Sequence, residues 1–157
     1  MRSLRSDAAD ALPRFPPDLA ETVGAVRLMQ LALEAVAAEE IQAREFRGAD
    51  GTPACSYRML ATLMSYAYAR GLLSSEDIEN QVRTDADLRY LCARELPDAQ
   101  ALRQFRRREW ACLNRVLVRL LASAAAQGAS NPPRDPEGEA AGRMERAAAA
   151  DSLALDY

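Results

Sequence analysis

Between Asp18 and Gly128 the large apolar residues return at helical spacing, and no stretch alternates apolar and polar side chains as a half-buried strand would. This single pattern restricts the chain to packed helices. The run YRMLATLMSYAYAR shows it most plainly, because its start and its stop are both written in the sequence. Ser56 precedes it and supplies a side-chain oxygen for the unpaired amides of a first turn. Gly71 follows it, where a helix closes by entering the left-handed conformation. Leu60, Leu63, Met64 and Ala67 share one face between these signals.

The same punctuation divides the rest of the chain. Asp18 with Glu21 forms a capping box that opens a helix running to Phe46, with Gly24 as an early interruption, and the segment 47–53 is a loop with two glycines and a proline. A short third helix follows Ser74 or Ser75 and carries Ile78 and Val82. Asp85 caps a fourth, through Leu88 and Leu91. Pro97-Asp98 opens a long fifth helix over residues 99–126, ended by Gly128. The expected fold class is all-α, a compact multi-helix domain with a helix-turn-helix-like centre and a long basic fifth helix. It occupies residues 18–128, between a flexible lead-in at 1–17 and a disordered polar, alanine-rich tail at 129–157 in which Met144–Ala150 forms at most a transient turn.

Composition removes several kinds of chemistry. A length of 157 residues suits one domain, and of the apolar residues 32 are alanine, enough with the rest for one helical core. The chain contains no histidine, so serine or cysteine nucleophiles activated by imidazole are excluded. Cys55, Cys92 and Cys112 lie too far apart for a zinc knuckle or a redox pair, and three sparse thiols suit a reducing compartment. Asp77, Asp85 and Asp98 read as helix caps and solvated surface, without the sheet on which nuclease carboxylates usually converge on Mg²⁺. No apolar run reaches membrane-span length, and the N-terminus lacks the core of a secretory signal. The expectation is a cytoplasmic protein with no cofactor, no metal and no membrane contact, and not an enzyme.

The charge is small in sum and uneven in place. All 20 basic residues are arginine against 23 acids, a net −3, yet residues 100–120 hold six arginines and one acid, Glu109. At about 100° per residue, Arg107, Arg108, Arg115 and Arg119 project opposite Leu102, Leu113 and Leu120, with Arg103 at the edge of their face. A solvated helix surface explains such a face in general. Here the near absence of acids, which would ordinarily be mixed in, makes phosphate binding by Arg103, Arg107, Arg108, Arg115 and Arg119 the alternative. Arg106 falls on the apolar side and requires an ion pair, expected from an acid on a neighbouring short helix. Tyr57, Tyr66, Tyr68 and Tyr90 divide between base stacking and core, with core favoured by their helical spacing, and Trp110 is expected at the edge of the apolar face.

Over residues 53–109 the order and spacing of Pro53, Arg58, Tyr66, Tyr68, Gly71, Ser74, Ser75, Ile78, Glu79, Asp85, Arg89, Tyr90, Leu91, Pro97, Asp98, Phe105, Arg106 and Arg107 resembles the N-terminal helical domain of InsH-like insertion-sequence transposases of the DDE type. The resemblance implies a DNA-binding role, recognition of the terminal inverted repeats of a mobile element. In full-length members it also implies a following ribonuclease-H-like domain with a Mg²⁺-binding Asp-Asp-Glu triad. No such domain is expected here, because an alanine-rich end and a polar tail follow Leu121. Glu76 stands where members often carry arginine after the paired serines, and Ala99 where they often carry histidine.

Two functions are therefore expected to compete. One is a transposase-derived, catalytically inert DNA-binding domain, a truncated remnant or a regulator of transposition. Its partners would be the phosphate backbone of double-stranded DNA, element ends, and a second copy or a transposase subunit. The other is a helical protein–protein interaction or oligomerisation module that has lost DNA affinity, which the net −3, Glu76 and the acidic end favour.

Overall fold

The run that carried the strongest signals becomes the centre of the molecule. In the computed structural model, which describes residues 23–48, 54–127 and 134–155, the Oγ of Ser56 accepts the Met59 amide at 3.2 Å and opens helix Tyr57–Ala69. Gly71, at φ +86°, closes it. Its amide donates to the Tyr68 carbonyl at 3.0 Å, and the Leu72 amide reaches back to Ala67 at 2.9 Å. Every residue of this helix except Arg58 is buried. A helix covered on all sides is a core element rather than a surface one.

In chain order the described elements are α1 (Ala25–Ala38), β1 (Glu45–Phe46), β2 (Cys55–Ser56), α2 (Tyr57–Ala69), α3 (Ser75–Val82), α4 (Ala86–Cys92), α5 (Ala99–Arg108), α6 (Trp110–Ala126) and α7 (Pro136–Leu155). Helices α1 and α6 pack on α2 and on each other, α4 covers another side of α2, and α7 lies against α6. The shared core includes Leu28, Leu60, Leu63, Met64, Leu88, Leu102, Phe105, Leu113 and Leu117. The fold is all-α, as expected, with one two-residue antiparallel ladder pairing Glu45 with Ser56 and Phe46 with Cys55.

Three expectations are corrected. The first helix ends at Ala38, short of Phe46, because Glu40 takes a left-handed conformation at φ +53°. The chain then turns, so that Phe46 enters the ladder and sets its ring edge-on to Phe105, with centroids 5.2 Å apart. The proposed start of that helix at Asp18 lies outside the described residues.

The fifth helix is two. It breaks at Glu109 (φ −113°, ψ 31°), whose carboxylate accepts the Tyr57 hydroxyl at 2.6 Å and faces Arg44 at 3.8 Å.

The polar end, expected to be disordered, forms the 20-residue helix α7. Composition misleads there because the docking uses small side chains and charges. Ala140, Met144 and Ala147 are buried, and so are Arg143 and Asp151.

The connections between the short helices follow the written caps. Ser74 accepts the Asp77 amide at 3.4 Å, Asp85 accepts those of Asp87 and Leu88 at 3.0 and 3.1 Å, and Asp98 accepts that of Ala101 at 2.8 Å. Arg83, Thr84 and Asp85 alone separate α3 from α4. Among the described residues no helix is long and apolar enough to cross a membrane.

Candidate nucleic-acid interface

The break at Glu109 and the segment from Glu39 to Arg44, just ahead of β1, together build a cleft of about 420 Å³, whose lining includes Arg44, Tyr57, Arg108, Cys112 and Arg115. Each arginine is held in a definite way. Arg108, at the end of α5, lies over the Phe46 ring, 4.8 Å from its centroid, and donates from Nη1 to the Arg47 carbonyl at 2.9 Å. Arg44 lies 4.2 Å over the ring of Tyr57, a cation–π contact. Burial and then the hydrogen bond to Glu109 raise the Tyr57 hydroxyl pKa far above its usual range, so it stays protonated and donates. On the other wall, Glu39 accepts from Nε of Arg115 at 2.9 Å and from Nε of Arg119. These bonds, that to Arg119 foremost, outweigh burial and lower the Glu39 pKa.

The five arginines of the sequence reading are thus partly gathered and partly separated. Arg108 and Arg115 line the cleft, and Arg119 joins Arg115 through Glu39. Arg107 is exposed beside Arg108. Arg103 is elsewhere. Its guanidinium meets Glu76 at 3.7 Å, its side chain is only 15% exposed, and it borders a second cleft lined by Glu76, Glu79 and Asp98. Its reading as part of one continuous face fails because the angular count runs through a helix that bends at Glu109 and because α5 leans on α3. Glu76, which stands where members of the resembled family often carry arginine, is the acid paired with Arg103.

The sequence reading missed Arg44, assigned to helix, and Arg47, assigned to the loop that follows. Their side chains are 55% and 79% exposed. The signal that marks them is Phe46, a single aromatic flanked by charges ahead of a glycine- and proline-containing loop, which is a hairpin signature. Arg106 is buried and ion-paired, but its acid is Asp151 of α7, at 2.6 Å, and not a short-helix carboxylate. Tyr57, Tyr66 and Tyr68 belong to the core, Trp110 packs at its edge, and Tyr90 is 72% exposed. Among the described residues no three His, Cys, Asp or Glu side chains converge as a metal site.

A helical body with an arginine-lined cleft at a hairpin and helix break is the class of protein defined by this geometry. The chain belongs to the family described as Transposase domain (DUF772), whose model matches residues 25–108, more than half of the 157. No curated protein and no solved structure matches it.

Proposed function

We propose that this transposase-family chain binds duplex DNA through its phosphate backbone and carries out no strand chemistry of its own. The observation that supports the reading best is the convergence on one cleft of Arg44, from the segment before β1, Arg108, from α5, and Arg115, from α6, with Arg47 bonded to Arg108 and Arg119 joined to Arg115 through Glu39. Guanidinium groups presented from a rigid scaffold suit phosphate oxygens, and they fix register and orientation without reading sequence. The resemblance to the helical domain of InsH-like transposases makes terminal inverted repeats the natural target, with base contacts left to the short helices α3 and α4. A chain without histidine and without converging carboxylates among its described residues is suited to holding element ends, not to cutting them.

The test is retention on duplex DNA across a salt series. Binding falls with salt at a log–log slope of about −0.9 per phosphate neutralised. Replacing Arg44, Arg107 and Arg108 by alanine makes the slope shallower by roughly that amount per lost contact. Absence of binding at low salt, or a slope that these replacements leave unchanged, refutes the reading.

One observation favours the second reading, a partner-binding module. Val26, Leu33 and Tyr90 are exposed large apolar residues, and with Met29 they line a cleft of about 350 Å³ between α1 and α4. Self-association abolished by Leu33→Ser and Tyr90→Ser, in a chain indifferent to DNA, supports that module instead.

A further inference from the structure

Over residues 83–95 the formal charges cancel, Arg83, Arg89 and Arg94 against Asp85, Asp87 and Glu95. The fold sorts them. All three acids are half-buried and engaged by the body of the protein. Asp85 caps α4 and also accepts from Nη1 of Arg70 at 3.0 Å. Asp87 accepts the Tyr66 hydroxyl at 3.3 Å, and both oxygens of Glu95 accept the Ser56 amide at 3.2 Å. The three arginines, by contrast, are exposed, and their side chains make no hydrogen bond, ion pair or ring contact with any described residue.

This arrangement is not what a solvated helix surface produces by default. Asp85 stands four residues before Arg89, the spacing at which opposite charges pair along a helix, yet it is held by Arg70 instead. Elsewhere Arg103 meets Glu76, and Arg115 and Arg119 share Glu39. The guanidinium groups at α4 keep their full capacity for an external anion or acceptor. The helix around Arg89 is also low in profile. Ala86, three residues before it, and Ala93, four residues after it, are exposed beside it on the same face. A short helix with such a face fits the major groove of a duplex, which is about 12 Å wide. Helix α3 is unsuited to the same place, because its exposed first turn is acidic, with Glu76 and Asp77.

We infer that α4 is the element that enters the major groove, with Arg89 reading a guanine and with Arg83 and Arg94, ahead of the helix and beyond it, on phosphates at the groove's edges. The inference rests on the DNA-binding reading above and narrows it to one helix and one base-reading side chain. The guanidinium fork matches the O6 and N7 acceptors of guanine, a pair that adenine lacks. Tyr90, although exposed, lines the α1–α4 cleft with Val26 and Leu33 and has no part in this assignment.

The test uses a pool of duplexes with a randomised centre, retained on immobilised full-length chain at low salt and then sequenced. Wild-type chain is expected to enrich a motif containing an invariant guanine. Arg89→Ala is expected to retain the pool with a similar salt slope but to lose preference at that one position, by about 5- to 150-fold. Arg89→Gln is expected to move the preference there from guanine to adenine, whose N6 and N7 suit a carboxamide. Arg83→Ala and Arg94→Ala should each make the salt slope shallower by about 0.9 and leave the motif in place. Because these side chains make no contact with described residues, unfolding temperatures should stay within the range of ordinary surface changes. A motif that both Arg89 variants retain overturns the inference. So does retention of the pool without any motif, an outcome that leaves phosphate binding by the arginine cleft standing. No retention at low salt refutes the DNA-binding reading itself, and this inference with it.

Discussion

Replacing Asp151 by alanine tests whether the C-terminal helix belongs to the folded unit or only leans on it. The substitution leaves the Arg106 guanidinium, 3% exposed, without its carboxylate and removes the acceptor for the Ser75 amide and hydroxyl. Loss of one partner from a buried pair costs about 3–5 kcal/mol. For a domain of this size, each 1 kcal/mol moves the unfolding temperature by about 2–4 °C, so a fall of roughly 6–20 °C is expected. Replacing both partners by apolar residues, Arg106→Met with Asp151→Leu, removes the orphaned charge and recovers most of this stability, leaving about 1–3 kcal/mol for the unsatisfied Ser75 amide. Thermal and urea unfolding followed by far-ultraviolet circular dichroism of the wild type, Arg106→Met, Asp151→Leu and the double variant close the cycle, with Asp151→Ala measured beside them. A loss below about 0.5 kcal/mol for Asp151→Ala, the range of ordinary surface changes, refutes the reasoning. So does a double variant whose loss equals the sum of the singles, because groups in contact are expected to couple.

Glu39 neutralises Arg115 and Arg119 within the chain, so Glu39→Gln is expected to tighten DNA retention and steepen its salt dependence; an unchanged slope removes these two arginines from the interface. Acid lability is expected at the α3–α4 connection. Burial raises the Asp85 carboxyl, but the amides of Leu88 and Asp87 and the Arg70 guanidinium together take its pKa below the ordinary value. A lowered folded pKa contributes stability that is present above the unfolded value near pH 4 and lost as pH falls through the lower folded one. Unfolding measured from pH 6 to pH 2 should therefore decline less steeply in Asp85→Asn than in the wild type. For the thiols, titration with a disulfide reagent at pH 8 is expected to modify Cys112 first. Cys55 and Cys92 are buried, with the Cys92 thiol pushed up to about 12 by burial, and should react only on unfolding.

What was legible in the sequence was whatever local chemistry decides. Ser56, Ser74, Asp85, Asp98 and Gly71 each did in the fold what their side chains and backbone preferences dictate, and the all-α class followed from them. What was not legible depends on partners distant in sequence. The helix break at Glu109 reflects a carboxylate tied to Tyr57 and Arg44, 52 and 65 residues earlier, and nothing between Ala99 and Ala126 announces it. Helix α7 was hidden for the same reason. Its alanine and glycine content signals weak intrinsic burial, while its docking relies on Arg106 and Ser75, 45 and 76 residues away. The candidate interface was half visible. Arg108, Arg115 and Arg119 were found by periodicity, Arg103 was included by counting through a bend, and Arg44 and Arg47 became visible only once Phe46 was seen to anchor a ladder.

The enclosure of α2 has a consequence for how this molecule can diverge. Of its 13 residues only Arg58 reaches the surface, and that side chain is used to hold the Ile41 carbonyl at 2.7 Å. The central helix therefore offers a partner little beyond Arg58 and the edge of Tyr57 that lines the cleft. Specificity is left to the shell around α2, where exposed arginines and acids can be exchanged without disturbing the packing. A change of binding habit in this molecule can thus be made on the outer helices while the packing of α2 stays as it is.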